Sequence, residues 1–170
     1  MKKLRNLLEG IEIISSKGDL DIDILGVSTN SKVTEKGYVF FAVKGNNLDG
    51  HEFIDGAIRN GSNCIICSDI PKIIDSKLCY VQVKNMRVAI NKISSKFFNN
   101  PVKKLKVIAV TGTNGKTSIV YFLYQFLTFL DKKVGMLSTI ENKIKDKSIS
   151  SLLTTPDPIE INKLMSEMVE

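Results

Sequence analysis

The chain has 170 residues, 43% apolar and 25% charged, with 24 basic against 18 acidic side chains and a net charge of +6. That length holds one good core or two small ones, and the composition is that of a globular protein, not a disordered or fibrous one. No apolar run reaches the ~20 residues that cross a bilayer, and the basic start Met1-Lys2-Lys3-Leu4-Arg5-Asn6 leads into no secretory core, so no membrane insertion and a cytoplasmic location are expected. The basic excess suits anionic partners. The lysines are scattered and not interleaved with aromatics, so nucleic acid is not among those expected.

In chain order, residues 3–9 read as a short helix, 22–29 as a strand, and 38–43 as a second strand rich in aromatic and β-branched residues. Residues 49–60 fit a helix, with Phe53, Ala57 and Ile58 on one side and Asn60-Gly61 as its stop. Residues 64–67 and 80–83 are short buried strands. Cys64-Ile65-Ile66-Cys67 has metal-ligand spacing, but there is no second pair and His51 is the only histidine, so the cysteines are read as small core residues. A helix over 86–98 uses Val88, Ile90, Ile93 and Phe97. Asn99-Asn100-Pro101-Val102-Lys103-Lys104 interrupts every pattern and reads as a linker. Beyond it come a strand 105–110, a loop, a helix 116–130, a strand near 134–139, a polar hairpin or loop at 143–150, and a turn at 154–158 that starts a last helix, 159–169.

Alternating strands and helices predict α/β layers with mainly parallel pairing. The expected organisation is a small α/β domain at 1–98, a linker at 99–104, and at 105–170 the start of a larger parallel-sheet, phosphate-loop domain. So short a second unit cannot cover both faces of a parallel sheet. The chain is therefore expected to be a fragment.

Val110-Thr111-Gly112-Thr113-Asn114-Gly115-Lys116-Thr117-Ser118 lies between an apolar strand and an apolar helix, the setting of a phosphate-binding loop. Gly112 and Gly115 let backbone N–H groups converge on phosphate oxygens, and the new helix adds its positive end. Lys116 would neutralise terminal phosphates and the Thr117 hydroxyl would bind Mg2+, which predicts ATP or GTP as the bound nucleotide. Val110 stands where the usual pattern has a glycine. An ordinary surface turn is the competing reading, and the flanking strand and helix weigh against it.

Several spaced motifs then agree with one family. Asn30-Ser31-Lys32-Val33, Gly37-Tyr38-Val39-Phe40-Phe41-Ala42-Val43-Lys44-Gly45 and Asp49-Gly50-His51-Glu52-Phe53-Ile54, in that order, resemble the first domain of the Mur ligases. The loop Thr111 to Thr117 is similar to that family's phosphate loop, which also lacks the early glycine. Leu137-Ser138-Thr139-Ile140 followed by Thr154-Thr155-Pro156 looks most like the branch that adds the third amino acid of the cell-wall peptide; the ligase adding the terminal dipeptide is the nearest alternative.

The resemblance implies a cytoplasmic, monomeric, ATP- and Mg2+-dependent amide ligase. Its substrates would be UDP-N-acetylmuramoyl-dipeptide and a free amino acid, joined through an acyl phosphate. Carried onto this sequence, Gly112, Thr113, Asn114, Gly115, Lys116, Thr117 and Ser118 would bind ATP, with Lys116 catalytic and Thr117 also on the metal. Thr29 and Ser31 would line the uridine pocket, with Asn46, Asn47 and Leu48 in the adjacent loop, and Thr154 and Thr155 would contact substrate. Ser31, Thr154 and Thr155 could instead be helix or turn caps, and His51 is read as part of a capped helix start. The chain alone is expected to be inactive; a non-catalytic module binding a uridine-linked sugar or nucleotide is the alternative of another class.

Overall fold

A computed structural model of the chain describes residues 1–45, 48–145, 147–150 and 157–170. They form two compact units, Met1–Phe97 and Phe98–Glu170. The first contains β1 (Lys2–Lys3), α1 (Leu4–Leu8), β2 (Ile13–Lys17), β3 (Asp23–Ile24), β4 (Gly26–Ser28), β5 (Tyr38–Ala42), α2 (Ile54–Arg59), β6 (Cys64–Cys67), β7 (Cys79–Val83) and α3 (Met86–Phe97). Its five-stranded sheet runs β2-β7-β6-β5-β4. Strands β4 to β7 are parallel and β2 lies antiparallel along β7.

The sheet follows from its sequence. Strands β5 and β6 are continuous apolar runs, as strands covered on both faces must be, and nearly every residue in them is buried. Phe40, Ala42, Ile65, Cys67 and Tyr80 pack on one face with Ile54 and Ala57 of α2. Val39, Phe41, Ile66 and Val81 alternate to the opposite face and are fully buried. Helices α1 and α3 pack on each other, with Leu4, Leu7, Ile90 and Ile93 buried. All three cysteines are free and buried. Burial, helped by the charge of Asp69, pushes the Cys67 thiol up to about 11.

The long strand expected over 22–29 is instead two short ones. It breaks at the exposed Leu25, whose N–H donates to the Gly37 carbonyl at 2.9 Å. The halves β3 and β4 then pair with different partners, β1 and β5. The helix expected over 49–60 begins as a 3-10 turn, Gly50–Phe53, before α2.

The second unit contains a 3-10 turn at Pro101–Lys104, α4 (Lys116–Phe129), β8 (Met136–Leu137), β9 (Glu141–Ile144), β10 (Lys147–Ser150) and α5 (Pro158–Val169). Strands β9 and β10 form the polar hairpin, and β8 joins β9, also antiparallel. Asp157 caps α5, accepting the Glu160 N–H at 2.8 Å, with Pro158 at the first helical position.

One expectation fails here. Residues 105–110 pair in no ladder among the described residues, and Val107 and Ile108 are 51% and 63% exposed. Apolar character marks a segment suited to a sheet, but a strand exists only through a neighbour's hydrogen bonds. None of the described residues supplies one. The strand expected near 134–139 likewise contracts to β8. Among the described residues, parallel pairing is confined to the first unit.

Candidate functional site

The loop after Val110 is built to expose backbone donors. Gly115 is the N-cap of α4 at φ +76° and ψ −2°, a left-handed conformation that side-chain-bearing residues resist. A Cβ placed on it would meet nothing within 4 Å, so the glycine serves backbone conformation, leaving open space above the helix end. No side chain caps α4 and no acidic residue lies in its first turn. The helix end therefore keeps its partial positive charge and free donors. The first helical bond, Ile119 N–H to Gly115 carbonyl, is 2.9 Å long.

Lys116 folds back over the loop. Its ammonium donates to the carbonyls of Gly112 at 2.5 Å and Thr113 at 3.1 Å. A cation is thus held beside the free end of a helix, two positive features facing one space. Thr117 Oγ1 lies 3.3 Å from Thr139 Oγ1, tying the helix to the segment after β8. A cavity of about 360 Å³ adjoins this contact, lined in part by Thr117, Ser118, Tyr121, Met136, Ser138 and Glu141. Of the loop residues, Thr117 and Ser118 line this cavity, while Gly112 to Gly115 are exposed beside the helix end.

The wall of that cavity carries charge that sequence reasoning passed over. Ser148 and Lys143 hydrogen-bond Glu141 and hold its carboxyl below the usual range. Lys143 sits 3.1 Å from Glu141 and over the rings of Tyr121 and Tyr124, at 5.0 and 5.4 Å. Nothing in the polar run 141–150 singled out Glu141, because its neighbours come from folding a hairpin.

Thr29 and Ser31 belong to the first unit, in the segment after β4 at the carboxyl edge of the parallel sheet. Thr29 is half-buried. Ser31 opens a 3-10 turn whose cap is Asn30, the side chain of which accepts the Lys32 N–H at 2.9 Å. Ser31 is therefore not the cap; its carbonyl accepts from Asn60 Nδ2 at 2.8 Å. Thr154, Thr155, Asn46 and Asn47 lie outside the described residues.

A parallel α/β unit followed by a glycine-capped, lysine-bearing loop at a helix start defines an α/β phosphate-loop protein. The pattern of the Mur ligase family, catalytic domain, matches residues 23–114, and that of the Mur ligase middle domain matches 110–170. The chain belongs to the Mur ligase family. It is 40% identical over 169 residues, 99% of its length, to the UDP-N-acetylmuramoyl-L-alanyl-D-glutamate–2,6-diaminopimelate ligase of Cytophaga hutchinsonii, of which it covers 35%. A solved structure of a ligase of that name superposes with a TM-score of 0.77 at 21% identity, over 99% of this chain and 33% of that one, a likeness of fold. The MurF ligase of Thermotoga maritima in complex with ADP matches 61% of this chain and 23% of its own at 35% identity, with a TM-score of 0.50. The chain thus spans about a third of the length of the relatives it matches.

Proposed function

We propose that this chain carries the UDP-sugar-binding and phosphate-loop parts of an ATP-dependent ligase that adds diaminopimelate to UDP-N-acetylmuramoyl-L-alanyl-D-glutamate in the cytoplasm. The observation that carries the reading is the Gly115–Lys116 geometry at the start of α4, in a chain 40% identical along nearly its whole length to a ligase of that name. That match spans more of the chain than the MurF one, which favours this reaction over addition of the terminal dipeptide.

In this reading residues 1–98 hold the UDP-sugar, with Thr29 and Ser31 lining the uridine pocket, 99–104 link the parts, and 105–170 begin the nucleotide domain. The residues fit a Mg2+-nucleotide: a helix end without caps or acids, an ammonium poised on loop carbonyls, and a threonine hydroxyl one residue on. The loop N–H groups from Gly112 to Ser118 orient the phosphates, and Lys116 moves from the carbonyls of Gly112 and Thr113 onto them. Thr117 would exchange Thr139 for the metal. ATP supplies the activation that makes a carboxylate a competent acyl donor. This chain's contribution is neutralising charge at the transferred phosphoryl group. Thr154 and Thr155 are proposed as substrate contacts, and the working form as a monomer. Among the described residues no helix is long and apolar enough to cross a membrane.

Calorimetric titration of the chain with Mg-ADP, and separately with UDP-N-acetylmuramoyl-L-alanyl-D-glutamate, tests the reading. Saturable binding of both is expected; binding of neither by a folded chain refutes it.

A further inference from the structure

His51 is the chain's single histidine, and its ring joins two segments that leave neighbouring parallel strands. Strand β5 ends at Ala42 and its partner β6 at Cys67. On the β5 side, Asp49 Oδ1 accepts both the His51 backbone N–H at 2.9 Å and its Nδ1 at 2.6 Å. A carboxylate only accepts, so Nδ1 carries a proton, and the Asp69 N–H, which can only donate, faces an Nε2 that presents a lone pair. On the β6 side two donors face that lone pair at 3.4 Å, the Ser68 hydroxyl and the Asp69 N–H. Ser68 is itself fixed, its carbonyl accepting from Gln82 Nε2 of β7 at 2.8 Å. The β5 segment is closed at its base by the Lys44–Asp49 bridge and by Gly50 N–H donating to the Val43 carbonyl at 2.8 Å.

A helix cap does not explain this arrangement. Asp49 caps through the backbone N–H of residue 51, which any residue but proline would supply. Nor is the ring core filling, since the side chain is 21% exposed. What the imidazole adds is a span with opposite hydrogen-bonding character at its two ends, connecting loops that share an edge with Thr29 and Ser31. Asp49, His51 and Ser68 also follow the order of a hydrolytic triad. However, the Asp69 N–H shares the Nε2 lone pair, which is therefore not reserved for the serine. In parallel sheets, ligands bind outside the carboxyl ends of the strands.

We propose that His51 is a positioning residue of a pocket for the uridine diphosphate group, one that holds the segment Asp49–His51 after β5 against Ser68 and Asp69 after β6 so that the ligand meets a pre-formed edge. The inference rests on the reading that this edge takes the UDP-sugar. His51 does not touch the ligand; it raises the fraction of chains in the binding-competent arrangement, and apparent affinity follows that fraction.

Because there is one histidine, nitrogen-15 NMR of the full chain reads its ring without ambiguity. The Nδ1–H tautomer is expected, and an Nε2–H tautomer overturns the clasp. Calorimetry with UDP then compares variants. His51→Leu is expected to weaken binding about tenfold, and His51→Gln, which keeps a donor and an acceptor, to recover most of that loss. Ser68→Ala, remote from the helix start and safe for folding, is expected to weaken binding roughly threefold. Wild-type affinity in both His51→Leu and Ser68→Ala overturns the role of His51 alone. Failure of the wild-type chain to bind UDP overturns the reading of the edge, and with it the ligand named here, while the tautomer still reports on the clasp.

Discussion

Replacing Lys116 by alanine separates the fold of the phosphate loop from its chemistry. The ammonium's partners are two loop carbonyls, at 2.5 and 3.1 Å, in a partly exposed position. Water can replace it there, so the change in folding stability should stay within about 0.5 kcal/mol, as for surface substitutions generally. Nucleotide binding is different. A phosphate charge ~4 Å from the ammonium is attracted by ~1 kcal/mol at the dielectric of water and ~4 kcal/mol at an effective value of about 20. An open loop against a helix end lies between those limits, at roughly 1.5–3 kcal/mol, which corresponds to a loss of roughly 10- to 150-fold in affinity. Calorimetric titration of Lys116→Ala with Mg-ADP, alongside its thermal unfolding, measures both quantities. An unchanged dissociation constant in a folded variant would refute the assignment of Lys116. ATP turnover by a ligase carrying the same substitution should be lost.

Gly18 stands at φ +89°, and a Cβ there would lie 2.5 Å from the Leu78 carbonyl oxygen and 3.0 Å from Cys79 Cα. Both are backbone atoms in or beside β7, so Gly18→Ala should cost about 2–4 kcal/mol, read as a lower urea midpoint. Gly115→Ala, strained but in open space, should cost only about 1 kcal/mol. Burial raises the thiols of Cys64 and Cys67, the latter to about 11, whereas a hydrogen bond from Cys64 lowers that of Cys79. At pH 8, then, Ellman's reagent should react slowly with the native chain and first at Cys79, but rapidly with all three thiols in guanidinium. Asp21 is held below its ordinary value mainly by Arg5, and Asp49 by the backbone and side chain of His51. Each therefore contributes stability that is present above the unfolded value of 3.8 and is lost as pH falls through the lower folded one. A variant combining Asp21→Asn and Asp49→Asn should lose less stability on acidification than the wild type, as followed by urea unfolding across that range.

What the sequence disclosed depended on whether an element's character is local. Strand β6 was legible to the residue because four consecutive buried positions must all be apolar, and α3 because its apolar positions recur at helical spacing. Strand β2 was invisible. Ile13-Ile14-Ser15-Ser16-Lys17 is an edge strand exposed at every position, so it carries no alternation, and it owes its state to hydrogen bonds with β7. Segment 105–110 shows the converse, a strand-like composition with no described neighbour to pair it. At the candidate site, the loop was readable from Gly112, Gly115 and Lys116 because its conformation is set by those residue types. The link between His51 and Ser68 was not, since it joins positions that only the parallel pairing of β5 and β6 brings together.

The edge strand β2 also bears on how the first unit is made. Its partner positions, Ser15 with Gln82 and Lys17 with Tyr80, are far apart in sequence, and contacts of such separation form late. At a synthesis rate of ~5–20 residues per second, β2 leaves the ribosome roughly 3–13 s before β7 exists to receive it. A strand that waits so long with unpaired edges invites pairing with other nascent chains. Its two serines and its lysine keep that interval safe, so the polar character that hid β2 from sequence reading is also what lets a growing chain carry it unpaired.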